Sequence, residues 1–135
     1  MTASEPPPAL PPDTVHEFVR IAHGGFDEIR RMLDRQPTLV NASWDWGGGD
    51  WETALGAAAH MGRRDIADLL LGRGARIDLF AAAMLGEVEI VRAVLEAFPS
   101  MRDAPGPHGI PLLEHARQGG AEARAVVDVL GQAVR

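Results

Sequence analysis

Apolar and small positions recur along the chain with a spacing organised around four glycines, Gly25, Gly62, Gly86 and Gly119. Four residues after the first three stands an isoleucine: Ile29, Ile66 and Ile90. Next come Met32-Leu33, Leu69-Leu70 and Ala93-Val94. This i, i+3, i+4 spacing predicts an amphipathic helix after each glycine, with these residues turned inward. Before the glycines lie the pairs Ile21-Ala22, Ala58-Ala59, Ala82-Ala83 and His115-Ala116. A shorter helix is predicted ahead of each glycine, starting at His16, Thr53, Ile77 and Ile110.

Small residues let facing helices approach closely, and stacked neighbours bury faces that one helix pair leaves open. The residues resemble the ankyrin repeat, whose pattern is T-P-L-H-x-A-A, a turn glycine, I-V-x-x-L-L, then G-A-x-x-N. The second unit carries the match: Thr53-Ala54-Leu55-Gly56-Ala57-Ala58-Ala59, Gly62, Ile66, Leu69-Leu70-Leu71 and Gly74-Ala75. The first keeps Phe18, Ala22, Gly25, Ile29 and Val40-Asn41, and the fourth keeps Pro111-Leu112 and Gly119. The resemblance implies an all-α fold, an ankyrin-repeat solenoid of four stacked helix-turn-helix units over residues 13–135. Residues 1–12, with five prolines, are expected to be a flexible tail. A C-terminal helix over about residues 122–134 is expected to cap the array with one buried face.

Two departures from the family pattern stand out. An enlarged finger loop of about four extra residues lies between units one and two. Between units two and three the finger is missing, so Ile77-Asp78 both ends one unit and begins the next. The enlarged loop holds all three tryptophans, beside a glycine triplet and three acids: Trp44, Asp45, Trp46, Gly47, Gly48, Gly49, Asp50, Trp51 and Glu52. Trp44 and Trp46 are expected as apolar anchors for a partner, with Asp45, Asp50 and Glu52 meeting a basic or donor-rich patch. The opposing reading folds the tryptophans back onto neighbouring units. For Asp45 and Asp50, capping of turns is preferred over cation binding.

In the ankyrin family the first helices line an inner groove. Here the position seven residues into each unit is His23, His60, Met84 and Arg117. His60 and the adaptable Met84 are expected to extend the contact along that groove. Trp51 belongs to the same expected contact region as Trp44 and Trp46; His108, in Pro105-Gly106-Pro107-His108-Gly109, is expected as a further partner contact at an exposed finger tip, and His115 as a hydrogen-bonded core histidine.

Composition narrows the chemistry. The chain has 135 residues, net charge −6, 13 arginines, no lysine and no cysteine. That excludes disulfides and Cys-ligated zinc, and argues against a nucleic-acid partner. No stretch is long and apolar enough for a membrane span, and residues 1–12 lack the marks of a secretory signal. The cytoplasm is the expected compartment by elimination. His23 and His60 lie one helix apart, but no His-Glu-x-x-His spacing exists, so neither a metal nor a cofactor is expected. Ser4, Ser43 and Ser100 sit in no nucleophile elbow, and Gly47 to Gly49 lack the Lys-Ser/Thr of a phosphate loop. The expected function is therefore a non-catalytic, monomeric protein-interaction module. The alternative is a small-ligand or carbohydrate binder, with or without weak hydrolase activity, using the same aromatic and acidic loop.

Overall fold

In the computed structural model, which describes residues 5–132, the helices come in pairs. The first helices of the pairs are α1 (Pro12–Ile21), α3 (Ala54–His60), α5 (Leu79–Leu85) and α7 (Leu112–Gln118). The last three are short, with 7 residues each, whereas α1 has 10, as many as its partner. Each is followed by a partner: α2 (Phe26–Arg35), α4 (Arg64–Gly72), α6 (Val88–Ala97) and α8 (Arg124–Gln132). Local chemistry sets the starts. The Thr53 hydroxyl accepts the Gly56 N–H at 3.0 Å, and the Asp78 carboxylate accepts the Ala81 N–H at 2.8 Å. Helix α1 begins four residues before the expected His16, because Pro12 sits in its first turn, where no N–H is needed. The first residues of the expected tail, 1–4, and the end of the expected last helix, 133–135, lie outside the described residues.

Alanine governs the packing. Helix α3 lies between α1 and α5, and α5 packs on α7. Ala57, Ala58, Ala59, Ala81, Ala82 and Ala83 are fully buried between them. Gly86, at φ +80°, ends α5 and faces the next turn so closely that a Cβ there would lie 2.1 Å from the Glu122 carbonyl oxygen. Asn41 ties one loop to the next: its amide donates to the Gly74 carbonyl at 3.2 Å and accepts the Arg76 N–H at 2.9 Å.

Ile29, Leu33, Ile66 and Leu70 are fully buried, as their spacing predicts. Each contributes on the order of 1.5–3 kcal/mol. Ile90 is not: it is 37% exposed, and Val91 and Leu95 are buried in its place. The reason lies in how the second helices pack. Helix α2 packs on α4 and α6 on α8, but α4 and α6 scarcely touch, so the Ile90 face has no cover. The buried residues divide into two clusters that meet at α5: Ala81, Met84 and Leu85 join the cluster of α1 to α4, and Leu79, Ala82 and Ala83 join that of α6 to α8. At the C-terminus Val126 and Leu130 are buried while Ala125 and Asp128 are exposed, a one-sided face.

One element departs from an all-α chain. Residues Ser43–Asp45 (β1) and Trp51–Thr53 (β2) form an antiparallel hairpin, with Trp44 opposite Glu52 and Asp45 opposite Trp51. Gly47, Gly48 and Gly49 all adopt positive φ, which lets the chain reverse there. The Asp45 carboxylate accepts the N–H groups of Gly47 and Gly49 at 2.9 and 3.0 Å, so this acid closes the turn.

Candidate functional site

Strand alternation decides which loop residues turn inward. Trp44 and Glu52 are cross-strand partners and share one face, while Asp45 and Trp51 share the other. The inward face packs on α1 and α3. Trp44 stacks on His16 with ring centroids 4.7 Å apart, and Trp46 meets His16 and His23 edge-on. Trp51 points outward and is 61% exposed. The expected anchors Trp44 and Trp46 are thus folded back and partly covered.

Glu52 is 1% exposed and offers no surface to a partner. Its carboxylate lies instead at the centre of a ring of imidazoles. His23 Nε2 lies 3.2 Å from Oε1, and His60 and His108 Nε2 lie 3.0 and 3.2 Å from Oε2. The Trp46 indole N–H donates to Oε1 at 2.9 Å. The carboxylate and the three imidazoles come from four places: the turn after α1, strand β2, the last residue of α3, and the 105–109 loop; Trp46 comes from the hairpin turn.

The loop is fixed from outside the ring by Asp50. One Asp50 oxygen accepts the His108 backbone N–H at 2.7 Å, and the other lies 2.7 Å from His108 Nδ1. His108 is the one non-glycine residue of positive φ among those described, at +60°. His23 is held from behind, its Nδ1 lying 2.9 and 3.1 Å from the Arg20 and Val19 carbonyl oxygens.

Electrostatics follow from this geometry. Burial pushes the Glu52 carboxyl up, but the imidazoles of His23 and His60 and the charges of His23 and His108 outweigh it and hold it at about 2. The Glu52 carboxylate raises His23 against the cost of burial. Asp50 is lowered, chiefly by the His108 backbone N–H. Away from the ring, burial lowers His115, which is fully buried with Nδ1 3.0 Å from the Pro111 carbonyl oxygen.

The groove residues fare differently from expectation. Met84 is fully buried, because α5 is enclosed by α3 and α7, so it presents nothing to a partner. His60 keeps only 10% of its side chain exposed and belongs to the ring. The outward side of the hairpin, by contrast, borders an open cleft of about 780 Å³ lined by Gly47 to Trp51, Phe80 and residues 105–109. Sequence reading placed His23 on the inner groove and set aside a metal on His23 and His60 for want of a third ligand; it foresaw no convergence with Glu52 or His108. One signal was present: His23 and His60 occupy the same position in consecutive units.

The Ankyrin repeat family profile matches residues 50–81, from the end of the hairpin loop through α3 and α4 into α5. Residues 50–81 thus carry an ankyrin repeat. Its Thr53 cap, α3 alanines and Gly62 turn are therefore repeat features, whereas Trp44 and Trp46 of the hairpin lie ahead of the matched residues. A comparison with curated protein sequences finds no match. No helix among the described residues is long and apolar enough to cross a membrane.

Proposed function

We propose that this protein is a four-unit ankyrin-repeat solenoid that acts as a non-catalytic protein-recognition module, reading its partner through the enlarged finger. The carrying observation is Trp51, 61% exposed beside the open cleft that Phe80 and Pro107 also line. An exposed tryptophan on a braced hairpin is the kind of anchor that dominates recognition surfaces. The contact set then narrows to Trp51, Asp50 and the rim of His108, with Asp45 closing the turn beneath and Trp44, Trp46, Glu52 and His60 supporting from behind. Hydrolysis is disfavoured, because a general acid needs a raised pKa and Glu52 is held at about 2. A monomeric state, a cytoplasmic location and a partner other than nucleic acid belong to the same proposal.

The test is site-specific crosslinking. A photoreactive phenylalanine analogue replaces Trp51 in the full chain, and a second copy carries it at the exposed Arg92 on α6. A discrete protein adduct at position 51, absent at position 92 and competed by the natural chain but not by a Trp51→Ala chain, supports the reading. Equal adducts at both positions, or none at 51, overturn it.

A further inference from the structure

The ring around Glu52 has a chemistry that partner recognition leaves unused. His23, Glu52, His60 and His108 each present one nitrogen or oxygen ligand atom, and all four atoms lie within 4.8 Å of one another. Glu52 Oε2 is buried, with two imidazole nitrogens at 3.0 and 3.2 Å, yet it makes no hydrogen bond of acceptable geometry. His60 Nε2 is buried and likewise without a partner. Unpaired buried polar atoms are costly and call for an explanation.

The ring hydrogens sharpen the point. Carbonyl and carboxylate oxygens only accept, so Nδ1 of His23 carries its hydrogen toward Val19 and Arg20, and Nδ1 of His108 toward Asp50. In the neutral rings Nε2 is then a bare lone pair, and both bare nitrogens face the Glu52 carboxylate. Acceptors gathered around one point repel each other unless a cation lies among them. Backing of the His23 and His108 Nδ1–H groups by carbonyl and carboxylate oxygens is also the arrangement that orients metal-bound histidine. Trp46 occupies Oε1 from the side and leaves Oε2 for a second ligand.

We propose that His23, His60 and His108, through Nε2, and Glu52, through Oε2, form a binding site for one divalent first-row transition ion, zinc foremost. Three imidazoles and one carboxylate suit zinc and its neighbours, whereas calcium and magnesium favour all-oxygen sets. Ligand atoms around tetrahedral zinc stand about 3.3 Å apart; His60 and His108 Nε2 lie 3.0 and 3.2 Å from Oε2, and all four ligand atoms lie within 4.8 Å of one another. With all four ligands from protein, the ion is a structural cross-link that joins α1, the hairpin, α3 and the 105–109 loop.

The experiment uses the full chain without a histidine tag, stripped with chelator and titrated with zinc chloride by calorimetry. One equivalent binding with Kd below about 1 μM is expected, with a rise in Tm. His108→Ala, in the exposed loop, is expected to weaken binding at least about tenfold, as is Glu52→Gln. His16→Gln, a nearby histidine outside the ring, leaves binding unchanged. No binding at about 100 μM zinc, or undiminished binding by His108→Ala, overturns the site and leaves protons as the cations of the ring. X-ray absorption of the zinc-loaded natural chain needs no variant: three imidazoles in the zinc shell support the assignment, and two or fewer overturn it.

Discussion

Asp50 grips His108 at two points, its backbone N–H and its ring Nδ1, each at 2.7 Å, although the two residues lie 58 positions apart. This clamp carries the finger hairpin across to the 105–109 loop and holds His108 in its left-handed conformation. Asp50→Ala is expected to release the loop and lower Tm. Hydrogen exchange at the His108 amide should rise by at least about tenfold, because its acceptor is gone. An unchanged exchange rate would mean that the loop is held by other contacts.

Gly86→Ala tests how tightly consecutive turns approach. The residue sits at φ +80°, and an added Cβ would meet the Glu122 carbonyl oxygen at 2.1 Å. Backbone strain and the displaced turn should together cost more than about 2 kcal/mol in urea unfolding. Gly48→Ala separates the two effects, since φ is also positive there but nothing lies within 4 Å. Its expected cost is near 1 kcal/mol, roughly that of the left-handed conformation alone.

The tryptophans should respond in opposite ways. Trp46→Phe keeps a ring but removes the N–H donor to Glu52, and should cost about 2 kcal/mol. Trp51→Ala, at an exposed position, should alter stability by less than about 0.5 kcal/mol. Iodide quenching should reach one tryptophan readily and lose that component in Trp51→Ala. Full protection in the natural chain would contradict the outward face of β2.

Stability of the chelator-treated protein should fall steeply in acid. Glu52 is held at about 2 in the fold and returns to its ordinary 4.5 when unfolded, so its contribution is complete above pH 4.5. It is lost as pH drops toward 2, because the unfolded chain binds the proton first. His23 acts in the opposite direction: raised above 6.5, it stabilises fully below that pH and its contribution fades as pH rises through the folded value. His115, lowered by burial, costs stability as pH falls below 6.5. Glu52→Gln should flatten the acid limb between about 4.5 and 2; a Tm-versus-pH curve as steep as that of the natural chain would exclude Glu52 as its source.

The helices were readable because their cause is local. Glycine turns, alanine runs and i, i+4 apolar pairs act within one or two turns of chain, and Ile29, Leu33, Ile66 and Leu70 are buried where that spacing puts them. Ile90 shows the limit: its sequence position matches theirs, but whether a helix lies over it depends on the packing of α4 against α6.

Sequence by itself determined the succession of helices around the four glycines, the ankyrin repeat in residues 50–81 and the tryptophan-rich segment before it. Tertiary structure alone decided which residues of that segment turn inward. Once the glycine triplet closes a hairpin, the period of two sends Trp44, Trp46 and Glu52 inward and Trp51 outward, and that parity depends on which residues pair. The ring was hidden for a related reason. His23, Glu52, His60 and His108 are spread over four segments, and their ligand atoms meet only because stacked helices and the Asp50 clamp bring those segments together. Spacing along the chain encodes neighbours on one helix; it carries no direct record of side chains that converge from separate elements.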